Sequence, residues 1–122
     1  MIMKVTREQV VDLMKYGGSF TFVDVRGREF YEQEHIKGAV SIPLDEIEKI
    51  GGRLLQKEDL IVTYCASFQC PASTQAARKL IEMGFTNVAD YKGGILDYKS
   101  RPLELEGKLH EQSGQGCTCC NC

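Results

Sequence analysis

The sequence predicts an α/β fold, a central parallel sheet with helices on both faces. Short β-rich runs alternate with stretches of helical periodicity along most of the chain. The run LIVTYC, residues 60–65, is apolar and β-branched without in–out alternation, as a strand covered on both faces should be. A length of 122 residues, 43% hydrophobic and 26% charged, suits one ordinary globular domain with its own core.

Taken in order, Thr6 and Gln9 make a capping-box start. Val10, Leu13 and Met14 then recur at helical spacing until Gly17-Gly18 stops the helix. FTFVDV, 20–25, reads as a strand, residues 29–34 as a short polar helix, and GAVSIP, 38–43, as a brief strand closed by Pro43. Residues 44–50 supply another amphipathic turn or two, ended by Gly51-Gly52. After the strand at 60–65, Pro71 suits a first helical position. Ala72, Ala76, Ala77, Leu80 and Ile81 line one face of the helix that follows, and Gly84 supplies its C-cap. Val88 and Ala89 form a short strand. GGILDY, 93–98, opens a last helix, with Gly93 and Gly94 as backbone punctuation before it. From Glu104 the chain turns polar, which divides it into one domain over 1–105 and a flexible tail over 106–122.

A net charge of −2 gives no electrostatic case for nucleic acid or an anionic membrane as partner. The N-terminal MIMKVTREQVVDL lacks the basic-then-apolar pattern of a signal peptide, and no apolar run is long enough to span a bilayer. The expected location is the cytoplasm. Of the 6 cysteines, two lie in YCASFQC and four in the terminal CTCCNC. A disulfide framework would scatter them, so catalysis and metal or sulfur handling are the better readings.

Cys65 ends the best strand candidate, and the residues after it lead into a helix. Ligands of open α/β sheets bind at the carboxyl ends of strands. The free N–H groups at a helix start stabilise an anion and favour a thiolate there. Such a thiolate can attack a sulfur, phosphorus or arsenic centre. A cysteine in this place is equally well a simple buried core residue.

Three separate segments resemble, in the right order, those of the rhodanese (sulfurtransferase) family. FVDVRGREFYEQEHIKGAVSIPLDEI, 22–47, is similar to the family's D-x-R and G-H-I-x-G-A-x-x-I-P segments through Asp24, Arg26, His35, Ile36, Gly38, Ala39, Ile42 and Pro43, with Glu34 replacing the glycine before the histidine. IVTYC resembles the strand entering the catalytic cysteine. GFTNVADYKGGILDYKSRPL, 84–103, resembles the closing segment, with Tyr98 where tryptophan is common and Pro102 where a proline is usual. The resemblance runs from about residue 4 to residue 105. It implies a three-layer α/β sandwich in which Cys65 becomes a persulfide during sulfane-sulfur transfer, a reaction that needs no cofactor.

The loop departs from the family pattern. CASFQCPAS is longer than the usual rhodanese loop and holds neither a glycine nor a cation. A longer loop is a feature of the rhodanese-like phosphatases and related arsenate reductases, which follow C-x5-R, with the arginine gripping the oxyanion. Here that place is Pro71, which has no N–H to donate, so phosphate or arsenate chemistry loses its clamp. Thiosulfate, whose sulfonate also wants a cation, is weakened as a donor, and Arg78, two turns into the helix, is a poor substitute. A persulfide or polysulfide donor fits better. The substrate-contacting candidates are Ala66, Ser67, Phe68, Gln69 and Ser73, with the two serines equally readable as ordinary loop and helix-start residues. The acceptor is a thiol or an acceptor protein.

Cys70 is readable as a resolving thiol, attacking the Cys65 persulfide to leave a disulfide and hydrosulfide, or as a packing residue. Asp24, Arg26 and His35 are expected to support the fold rather than react. Cys117, Cys119, Cys120 and Cys122 are candidate ligands for Zn²⁺ or Cu(I), a relay that collects sulfur from Cys65, or a tail with no fixed role. The functional expectation is a sulfurtransferase. The alternative is a non-catalytic rhodanese-like module that binds a partner or delivers metal.

Overall fold

The computed structural model describes residues 2–16, 20–101 and 103–109. Five parallel strands form its sheet: β1 (Met3–Lys4), β2 (Phe20–Asp24), β4 (Val40–Ser41), β5 (Leu60–Tyr64) and β6 (Val88–Tyr91), in the order β1-β6-β5-β2-β4. β3 (His35–Ile36) pairs antiparallel with β7 (Leu105–Glu106) as a separate clip. The helices are α1 (Arg7–Tyr16), α2 (Arg28–Gln33), α3 (Ile47–Leu54), α4 (Ala72–Glu82) and α5 (Gly94–Lys99), with a 3-10 turn at Leu44–Glu46 before α3.

β5 lies centrally because its side chains have apolar partners on both faces. Ile61, together with Val23 and Val88, packs against Ile47 of α3 and Ala76, Ala77 and Leu80 of α4. Val62 and Tyr64, with Phe22, Ala89 and Tyr91, pack against Val10 of α1 and Ile95 and Tyr98 of α5. Each buried Val, Ile, Leu or Phe side chain among these contributes about 1.5–3 kcal/mol. The sandwich therefore has α3 and α4 on one side and α1 and α5 on the other.

The capping box is formed: Thr6 N donates to Gln9 Oε1 at 2.8 Å and Gln9 N to Thr6 Oγ1 at 3.2 Å. Gly84, at φ +104°, closes α4 through Phe85 N to Leu80 O and Gly84 N to Ile81 O, a Schellman motif. Gly51-Gly52, by contrast, does not end the third helix. α3 runs through both glycines, and Leu55 N still donates to Gly51 O. The reason is tertiary: Gly51 is buried against Met83 and Leu80 of the α4 end, so packing outweighs the weak helix propensity of glycine. The strand expected over 38–43 shrinks to Val40–Ser41, because Gly38 turns the chain at φ +85°. β6 extends two residues beyond Ala89. β1, β3 and β7 were not foreseen, since strands of 2 residues carry no periodicity. Gly17-Gly18, Pro102 and Cys117, Cys119, Cys120 and Cys122 lie outside the described residues. No helix among the described residues is long and apolar enough to cross a membrane.

Candidate functional site

β5 ends at Tyr64, one residue earlier than the sequence suggests, and delivers Cys65 to the carboxyl edge of the sheet, 5% exposed. The next turn is closed by Cys70 N donating to Ser67 O at 3.1 Å, with Gln69 N on Ser67 Oγ at 3.4 Å. This turn folds the loop back on itself and brings Cys70 to Cys65, where the two are joined by a disulfide with Cα atoms 6.3 Å apart. That separation lies in the ordinary range for a bridge. α4 starts just beyond.

The loop leans on α5. Ile95 N donates to Cys65 O and Leu96 N to Ala66 O, both at 3.0 Å. The approach is so close that Gly94, at φ +68°, has no room for a side chain: a β-carbon there would lie 2.5 Å from Cys65 O and 2.8 Å from the carbonyl carbon of Ala66. Gly94 is thus a contact surface for the loop, more than the punctuation read from the sequence. With these carbonyls drawn toward α5, the amides of Ala66, Ser67 and Phe68 have no acceptor among the described residues. These three amides lie in the loop between Cys65 and the 11-residue α4, and uncommitted donors in a loop leading into a helix start suit the binding of an anion.

Of the predicted contact residues, Ala66, Phe68 and Gln69 are exposed, and Phe68 keeps 64% of its surface in solvent. Ser67 is committed to the turn. Ser73 sits beneath the loop, fully buried, with its carbonyl accepting from Thr63 Oγ1 at 2.9 Å and its hydroxyl unpartnered among the described residues. Asp90 of β6, also fully buried, accepts from Thr74 Oγ1 through Oδ2 at 2.5 Å, while its Oδ1 has no partner among the described residues. Within 65–71 there is no cation, but β6 brings one from elsewhere. Lys92 Nζ donates to Cys70 O at 2.7 Å. The sequence reading missed it because 22 residues separate the two.

Asp24 and Arg26 form an ion pair, while His35 is held separately in the β3–β7 clip. Asp24, fully buried, accepts from Arg26 Nε (3.0 Å) and Nη2 (2.7 Å) and from the Tyr64 hydroxyl (3.0 Å), and Tyr64 in turn accepts from Ile36 N (3.1 Å). Burial first, and the Asp24 carboxylate second, push the Tyr64 hydroxyl well above its usual range. Tyr64 belongs to the α1–α5 side of the sheet and Cys65 to the α3–α4 side, so a β-sheet stands between this network and the thiol. His35 stacks on the Tyr31 ring, its centroid 3.7 Å away. Its Nδ1 donates to Tyr31 O at 2.6 Å, and Nε2 lies 3.4 Å from Glu106 Oε1 in the β3–β7 clip. No group of three or more potential metal-binding side chains occurs among the described residues.

Comparison with known proteins agrees with this architecture. The model of the Rhodanese-like domain family matches residues 6–101. Thiosulfate sulfurtransferase PspE of Escherichia coli is 42% identical over 77 residues, 62% of this chain and 71% of that protein. The putative sulfur carrier protein YrkF of Bacillus subtilis is 35% identical over 83 residues, 68% of this chain but only 43% of that longer protein. Among solved structures, the BH2092 protein from Bacillus halodurans superposes with a TM-score of 0.81 at 34% identity, covering 88% of this chain and 78% of that one.

Proposed function

The chain belongs to the rhodanese-like domain family, and on that premise we propose that it is a sulfurtransferase carrying sulfane sulfur as a persulfide on Cys65. The observation that supports this most directly is the pairing of Cys65, at the carboxyl end of the central strand, with loop amides that have no acceptor among the described residues. A relative named a thiosulfate sulfurtransferase supports an anionic sulfur donor, and one named a putative sulfur carrier supports onward transfer.

With the disulfide reduced, the Cys65 thiolate attacks the outer sulfur of the donor. For thiosulfate, the sulfur–sulfur bond breaks and its electron pair leaves on sulfite. The persulfide anion that remains accepts hydrogen bonds from the free loop amides and gains from the α4 dipole. An acceptor thiolate then takes the outer sulfur and frees Cys65. In its absence Cys70 attacks the inner sulfur, hydrosulfide departs with the electron pair, and the Cys65–Cys70 disulfide closes. Two reducing thiols reopen it and are oxidised to their own disulfide.

The deciding experiment is the intact mass of the reduced protein after thiosulfate or polysulfide, compared with Cys65→Ser and Cys70→Ser. The reading expects the gain of a single sulfur that disappears in Cys65→Ser. It also expects, on standing, the loss of two hydrogens in the parent but in neither variant. No sulfur gained from either donor would sink the sulfurtransferase reading and leave a binding module in its place.

A further inference from the structure

The loop that holds Cys65 has no cation of its own, yet the fold places one against it. Lys92 follows directly on β6, half-buried, and its ammonium group is 2.7 Å from the carbonyl oxygen of Cys70. The segment carrying it cannot drift from the loop. Two residues on, Gly94 touches the backbone of residues 65–67, and Ile95 and Leu96 bond the carbonyls of Cys65 and Ala66. Lys92 has no carboxylate within ion-pair distance among the described residues. The nearest acid along its strand, Asp90, is turned to Thr74. A single carbonyl leaves two of the three ammonium hydrogens and the full positive charge uncommitted.

From this we infer that Lys92 is the specificity-determining cation of the site: it attracts and positions the anionic end of the sulfur donor, the role that no residue of the loop itself can fill. The inference deepens the assignment of Cys65 as nucleophile. It also reverses the case against thiosulfate made from the loop alone. When the Cys65 thiolate displaces sulfite, the departing group carries two negative charges, and Lys92 offers its counter-charge beside the loop that holds the sulfur. The backbone that carries the charge is anchored through the β6–α5 connection, whose bonds to Cys65 O and Ala66 O do not involve the bridge.

The test separates this role from the sulfurtransferase reading. In a Cys70→Ser background, which keeps Cys65 reduced, the alkylation of Cys65 by iodoacetate (an anion) and by iodoacetamide (neutral) is followed by peptide mass spectrometry. Both reagents report the same thiolate, so their rate ratio isolates the attraction for an anion. Lys92→Gln and Lys92→Met should each lower the iodoacetate-to-iodoacetamide ratio about fivefold at low salt, and Lys92→Arg should restore it. In the chain with both cysteines, Lys92→Gln should raise the KM for thiosulfate about tenfold with a much smaller change in kcat. A ratio unchanged in both Lys92→Gln and Lys92→Met overturns the inference. Failure of the parent protein to turn over thiosulfate would instead count against the sulfurtransferase assignment and leave the alkylation ratio as a valid measure of the cation.

Discussion

Gly94 and Cys65 are in direct backbone contact: a β-carbon on the glycine would fall 2.5 Å from the cysteine's carbonyl oxygen, and the next residue's amide already donates to that oxygen. The loop that presents the sulfur is therefore shaped as much by the start of α5 as by its own residues. Gly94→Ala combines this overlap with a φ of +68°, which a side chain resists. It should destabilise the protein by at least about 2 kcal/mol and slow persulfide formation in the fraction still folded. Urea unfolding and the sulfur mass gain measure the two effects, and a variant normal in both would show that the contact is dispensable.

Asp24 is the hub of the structural network. Asp24→Ala strips the buried partner from Arg26 and Tyr64 together and should cost about 3–5 kcal/mol. Tyr64→Phe removes only the donor to Asp24 and the acceptor for Ile36 N, at about 1–3 kcal/mol. Because the network faces away from the thiol, persulfide formation per folded Tyr64→Phe molecule should match the parent. Chemical denaturation paired with intact mass tests this, and a selective loss of sulfur loading would place Tyr64 in the chemistry.

Helix α3 carries an avoidable cost. Gly52 is exposed within it, and an added β-carbon would meet only the Met83 methyl at 3.9 Å, an ordinary contact. Gly52→Ala should stabilise the protein by about 0.5–1 kcal/mol through helix propensity. A lowered melting temperature would mean that the backbone at this position is not helical in solution.

The β3–β7 clip should loosen in acid. Glu106 accepts from Gly38 N at 3.0 Å, and that bond, with His35 and Lys37 nearby, holds its carboxyl below the ordinary value of 4.5. A depressed folded pKa contributes stability that is fully present above 4.5 and is lost as pH falls through the lower folded value. The group is exposed, so the effect is local rather than global. The Gly38 amide resonance should report this titration below pH 4.5 and lose it in Glu106→Gln. A midpoint at or above 4.5 would contradict the bond.

Much of the architecture was legible because it rests on local signals. The capping box at Thr6, the αL glycine at Gly84 and the unbroken apolar run of β5 each act within a few residues, where sequence and structure are tightly coupled. Gly51-Gly52 misled for the opposite reason. A glycine pair reads as a helix stop until α4 supplies the side chains that Gly51 packs against. The clip between His35–Ile36 and Leu105–Glu106 escaped notice because its strands have 2 residues each and their pairing spans most of the chain.

By itself the sequence determined the α/β order, the family and the placement of Cys65 where a strand gives way to a helix, since periodicity, turn chemistry and motif order are all written along the chain. Only the tertiary structure decided what surrounds that sulfur. It set Lys92 against Cys70, seated α5 on the carbonyls of Cys65 and Ala66, and put the Asp24 network behind the sheet. The first two relations follow from parallel pairing of β5 with β6, and the third from parallel pairing of β2 with β5, which bring residues 22 or more apart to the same carboxyl edge. Contacts across such separations exist only once the sheet has formed.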